Sequence, residues 1–156
     1  MKTPLLLFAS HAAALLLGVG AGIYTLPILT APPAPTAQQL DMQAGAALFH
    51  GEFRRDLKDS DRFHWGDGAV SVGRDTIALR GRLAPGPDYR LYLSPEFVET
   101  EADFLRLKPL MRQVGAVRSF DGFLAPLPPD VDPAAYTSVI VWCETFGQFI
   151  TAARYR

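Results

Sequence analysis

Between Lys2 and the end of an apolar run reaching from Pro4 to about Ala31, no charged side chain interrupts the chain, and His11 is its one group there of a type that titrates near neutral pH. A run of that kind meets a membrane. A secretory signal has an apolar core of roughly 7–15 residues followed by a small-residue cleavage site, whereas spanning a bilayer takes about 20. This run is long enough to span, and prolines interleave the small residues at Thr30-Ala31-Pro32-Pro33-Ala34-Pro35, a poor context for a peptidase. The reading is an uncleaved anchor; the alternative is a signal removed after export. Lys2 gives a positive-inside indication, so the remainder would face the periplasm or the cell exterior. His11, near the helix end, reads as an interfacial residue. Gly18 and Gly22 form a small-xxx-small pair, although glycine is common in such helices anyway.

The expected organisation is therefore a membrane anchor or signal-anchor over residues 1–31, a Pro/Ala-rich linker over 32–46, and one folded domain over 47–156. The linker reads as an extended spacer that holds the domain off the membrane. The formal charge of −1, with Lys and Arg spread along the chain, lacks the basic footprint of nucleic-acid binding, and no nucleic-acid partner is expected.

Beyond the linker the chain is a series of short strand-like segments. Ala47–Phe53 reads as a first strand and Asp56–Asp61 as a polar loop. Gly66-Asp67-Gly68 reads as a turn, Ala69–Val72 and Thr76–Arg80 as strands. Gly86-Pro87-Asp88 opens a β-turn before Tyr89–Ser94, whose Tyr89, Leu91 and Leu93 share one face. Thr100 with Asp103 fits a capping pattern for one short helical turn. Arg112–Val117 and Ser119–Leu124 read as two more strands, and Pro126, Pro128, Pro129 and Pro133 mark a loop before a final strand pair. This pattern predicts an all-β fold, a sandwich or barrel of short, mostly antiparallel strands, after one N-terminal transmembrane helix.

The clearest strand, Tyr136-Thr137-Ser138-Val139-Ile140-Val141-Trp142, is rich in β-branched and aromatic residues and leads into Cys143, the only cysteine. A single thiol makes no internal disulfide; it is inert, reactive or a ligand. Strand parity puts Val139, Val141 and Cys143 on one face and Ser138, Ile140 and Trp142 on the other. Free cysteines are commonly buried as small hydrophobes. Glu144 beside it would raise a thiol pKa, against strong nucleophilicity.

Other chemistries are less well provided for. A mononuclear copper site wants two histidines, a cysteine and often a methionine; His50, His64, Cys143 and Met111 supply the types, but no histidine or methionine follows Cys143. No metal site is assigned, since structural zinc needs more ligands and Asp59, Asp61 and Asp67 lack calcium-loop spacing. Haem is conceivable with Cys143 or His64 as axial ligand, held non-covalently because no Cys-x-x-Cys-His motif is present. A nucleophilic Cys143 with His64 as base is a further arrangement. No hydrolase or transferase motif is apparent, so the enzyme class stays open.

From Gly51 to Tyr155 the chain resembles the electron-transfer DM-thirteen family, a small all-β module often found beside DOMON domains. Tyr136-Thr137-Ser138-Val139-Ile140-Val141-Trp142-Cys143, then Phe146 and Ala153, carry most of the resemblance. Gly51 with Phe53, Gly68-Ala69, Gly86-Pro87-Asp88 before Tyr92-Leu93-Ser94, and Val131-Asp132 with Tyr136 add to it. The resemblance implies redox chemistry at Cys143, as a bare thiol or as ligand of a haem or metal, in an exported module with a redox partner protein. The alternative is a non-catalytic binding or scaffold β-domain in which Cys143 is core packing.

Overall fold

A computed structural model describes residues 2–156. The apolar run forms one helix, α1 (Lys2–Thr30), long and apolar enough to cross a membrane. Its apolar side chains are not buried by the rest of the chain.

The linker expectation needs correction. Only residues 31–36 are extended, and α2 (Ala37–Ala46) follows with a capping box: Thr36 accepts the Gln39 N–H, and the Gln39 side chain accepts the Thr36 N–H. Leu40 is buried, and Arg80 reaches back to Asp41 and to the Ala37 carbonyl. A helix fastened to a sheet is no spacer. The prolines that suggested an extended chain stop just before the capping residue.

Eight strands follow: β1 (Phe49–Phe53), β2 (Gly66–Val72), β3 (Thr76–Leu83), β4 (Tyr89–Ser94), β5 (Arg112–Val117), β6 (Phe123–Pro126), β7 (Ser138–Cys143) and β8 (Gln148–Arg154). They form two antiparallel four-stranded sheets, β1-β2-β3-β6 and β5-β4-β7-β8, a sandwich with a shared core. β4 and β5 have the bounds expected from their alternation and turns. The Gly66-Asp67-Gly68 turn does not exist; those residues open β2. Glycine is needed there because a Cβ on Gly68 would meet the Gly81 backbone across the ladder, at 2.6 Å from its Cα, and close backbone approach inside a strand is the other reading of such a glycine. The expected Ser119–Leu124 strand lies further on as β6, where edge Pro126 pairs with Thr76 without supplying an N–H to the ladder.

One short helix, α3 (Glu101–Leu107), interrupts the strands between β4 and β5, with Thr100 capping through the Asp103 N–H. It covers the outer face of the second sheet. There Phe104 stacks on Trp142 at 4.0 Å between centroids and meets Tyr92 edge-on at 5.2 Å. The protein thus has two apolar layers. One lies between the sheets and includes Leu91, Leu93, Val139, Val141, Cys143 and Ile150. The other, under α3, includes Tyr92, Ile140, Trp142 and Phe149. The parity read for β7 holds: alternate residues enter alternate layers.

The registers define two ends. β4 begins at Tyr89, β7 finishes at Cys143 and β8 starts at Gln148 at the same end, since Cys143 pairs with both Tyr89 and Gln148. The loops 54–65, 84–88, 118–122 and 144–147 gather there. This is the thiol end; the turn at 73–75 and the proline loop lie at the opposite one, and α3 lies over the outer face of the second sheet with Glu101 bonded to Asp59 and Gln148.

Candidate functional site

Cys143 closes β7 with 2% of its surface exposed. Its burial is not complete packing, because it lines a cavity of about 280 Å³ at the thiol end together with His64, Tyr89, Gln148 and Ile150. The loop Pro85-Gly86-Pro87 forms one wall, Phe63 and Phe146 stand at the margin, and Ile23 and Tyr24 of α1 complete the lining. A cavity of this size holds several water molecules at about 30 Å³ each.

The walls follow from local sequence. Gly86 lies against the hydroxyl end of the Tyr89 ring, and a Cβ at that position would collide with it; glycine lets the loop close here. The β7–β8 turn bends at Gly147, with φ +61°. It is tied to the neighbouring loop by the Glu144 N–H donating to the Asp88 carbonyl at 3.0 Å. Burial, then the nearby Cys143 and Tyr24, pushes the Tyr89 phenol up, so it stays protonated.

His64 enters from the long loop between β1 and β2. Asp61 organises that loop: its Oδ1 accepts the N–H groups of Phe63 at 2.6 Å and His64 at 2.8 Å, and its Oδ2 lies 2.9 Å from His64 Nδ1. Desolvation alone would raise the Asp61 carboxyl, but hydrogen bonds from the His64 ring and from these two N–H groups outweigh it and hold the group below its ordinary value. A carboxylate on Nδ1 favours the ring proton at that nitrogen, so that in the neutral ring Nε2 is the acceptor. Asp61, read from sequence as part of a solvated acidic loop, is the orienter of His64. Its signal was the three-residue spacing to the histidine, which suits an Asx turn.

Glu144 is taken up by other partners. It faces the α3 side, where Lys108 Nζ lies 2.8 and 2.9 Å from its carboxylate oxygens and Tyr92 donates its hydroxyl. Desolvation raises the Glu144 pKa less than these donors lower it, and the net shift is downward. Tyr92 also reaches Gln113 at 2.9 Å.

The copper set is not assembled. His50 pairs with Ser71 towards the opposite end, and Met111 precedes β5 at that end beside the α3 layer. Among the described residues no group of three or more His, Cys, Asp or Glu side chains is arranged to hold a metal ion. The cavity, about 280 Å³ and at the lower edge of the roughly 300–1,000 Å³ of small-molecule pockets, does not enclose a tetrapyrrole.

The class of protein is that of a small antiparallel β-sandwich, with its single thiol buried at the end of one strand. Residues 53–155 match the family described as Electron transfer DM13, and the chain belongs to that family. The match begins two residues after the Gly51 start of the resemblance and ends at the same tyrosine. No curated protein and no solved structure matches the chain.

Proposed function

We propose that the protein is a membrane-anchored, exported redox module in which Cys143 is the working group and His64, held by Asp61, is its base. The observation that carries this reading is the shared cavity: the chain's one thiol and an imidazole held through Nδ1 by Asp61 line the same small space. The thiolate is the reactive form of cysteine. Transfer of the thiol proton to His64 Nε2, directly or through cavity water, generates it. Attack on a partner disulfide then forms a mixed disulfide with Cys143 and releases the partner's second sulfur as thiolate. A second thiol returns Cys143 to its starting state. The family's electron-transfer description supports redox work in general; the residue roles rest on the geometry. Export and anchoring rest on the length and composition of α1 and on Lys2.

The test is reaction of the folded full-length chain with a small neutral disulfide. One mixed disulfide forms per chain and none forms in Cys143→Ser. A thiol that reacts only after unfolding overturns the proposal. That second outcome would favour a scaffold or binding β-domain with Cys143 as packing, for which the near-complete burial of the residue speaks.

A further inference from the structure

The tether between α1 and the domain is short. Six residues, 31–36, separate α1 from α2, and an extended chain of that length reaches at most about 21 Å. α2 is itself fastened to the first sheet through Leu40 and through the pairing of Asp41 with Arg80. The domain therefore stays close to wherever α1 ends.

α1 is also longer than a crossing requires. Its 29 residues extend about 43 Å at 1.5 Å per residue, against a hydrocarbon core of roughly 30 Å that about 20 residues cross. A crossing that begins at Lys2 leaves about the last two turns for the headgroup layer. Tyr24 belongs to the residue type enriched at that depth.

Those same turns meet the thiol end of the sandwich. Ile23 and Tyr24 line the Cys143 cavity, and Pro27, Thr30 and Ala31 lie along Gly86, Pro87, Arg118 and Phe120. At the cavity margin, on two separate loops, Phe63 is 62% exposed and Phe146 51%. Among the described residues these are the domain's exposed phenylalanines.

We propose that the thiol end docks on the bilayer surface that α1 crosses, with Phe63 and Phe146 among the lipid headgroups and the Cys143 cavity opening into the interface. The partner is a lipid surface in cis, and molecules that partition into it are the ones that reach the thiol. The proposal rests on α1 as an uncleaved anchor.

The full-length chain, reconstituted in phosphatidylcholine–phosphatidylglycerol vesicles, tests it. Benzoylphenylalanine is placed singly at Phe63, at Phe146 or at Arg74, an exposed residue in the turn at the opposite end. All three positions lie on the surface, so the fold tolerates the change. After photolysis, lipid adducts at 63 and 146 several-fold above those at 74, read by mass spectrometry, are the expected result. Equal adduct levels at the three sites, with the chain still held in vesicles after carbonate washing, overturn the docking and leave the anchor intact. Release of the chain by carbonate overturns both.

Discussion

Trp142 and Cys143 are neighbours on one strand and lie in opposite layers. On the Trp142 side the chain supplies its own cover: α3 lays Phe104 flat on the indole, Tyr92 meets Phe104 edge-on, and Lys108 closes the margin by pairing with Glu144. On the Cys143 side no helix of the domain covers the end of the sandwich. Loops approach and leave a cavity, and a histidine held through Nδ1 by Asp61 is among its lining residues. Where every group is covered and paired, the chain gains stability. Where a thiol and a histidine share unfilled space, the proposed function has its place.

The largest effect expected from this contrast is on the covered side. Trp142→Ala should cost about 3–5 kcal/mol, the range for removing a large buried aromatic, read from the urea midpoint. A loss near 1 kcal/mol would mean that the α3 layer packs loosely and that the contrast is weaker than the stacking suggests. Gly86→Ala comes next: forcing a methyl against Tyr89 should cost about 1–3 kcal/mol, as overpacking does. It should also change how fast Cys143 reacts, because the displaced ring is a cavity wall. Cys143→Ala should be milder, about 1 kcal/mol, the centre of the range for point mutations, since the sulfur already borders open space. A cost as large as that of Trp142→Ala would erase the distinction between the two faces.

The smallest effect is the acid dependence of the covered side. The Glu144 carboxyl is held below its ordinary value in the folded protein, so on acidification the unfolded chain takes up its proton first. The stability this group contributes is present above its unfolded pKa of about 4.3 and is lost as pH falls through the lower folded value. Because Glu144 and Lys108 are both partly exposed, screening limits the contribution to at most about 1 kcal/mol. Glu144→Gln should remove that part of the pH dependence while leaving thiol reactivity at pH 7 as it was. A change in that reactivity would mean that the two faces communicate.

Much of this contrast was legible in the residues alone. The alternation of β7 assigned Trp142 and Cys143 to different layers, and proline and glycine marked the bounds of β4. The signal that led to α3 was a threonine three residues before an aspartate. What escaped were features that depend on backbones meeting across the fold. Gly66 and Gly68 resemble a turn until the Thr151 side chain and the Gly81 backbone are seen pressed against them. α2 was hidden by the prolines before it, although Thr36 and Gln39 carried its capping box. The pairing of Asp61 with His64 was local and readable, but nothing linear placed that loop beside Cys143. Only the return of β7 and β8 to the thiol end does so.

The most direct test is the rate at which Cys143 reacts with a small neutral disulfide at pH 7, compared between the native chain, His64→Ala and Asp61→Asn. Loss of the base should slow the reaction about tenfold or more, at the cautious end of what a positioned base contributes. Asp61→Asn should fall between the two, with urea midpoints showing that both variants remain folded. Equal rates in all three proteins would contradict the account and leave Cys143 as a side chain that merely borders a void.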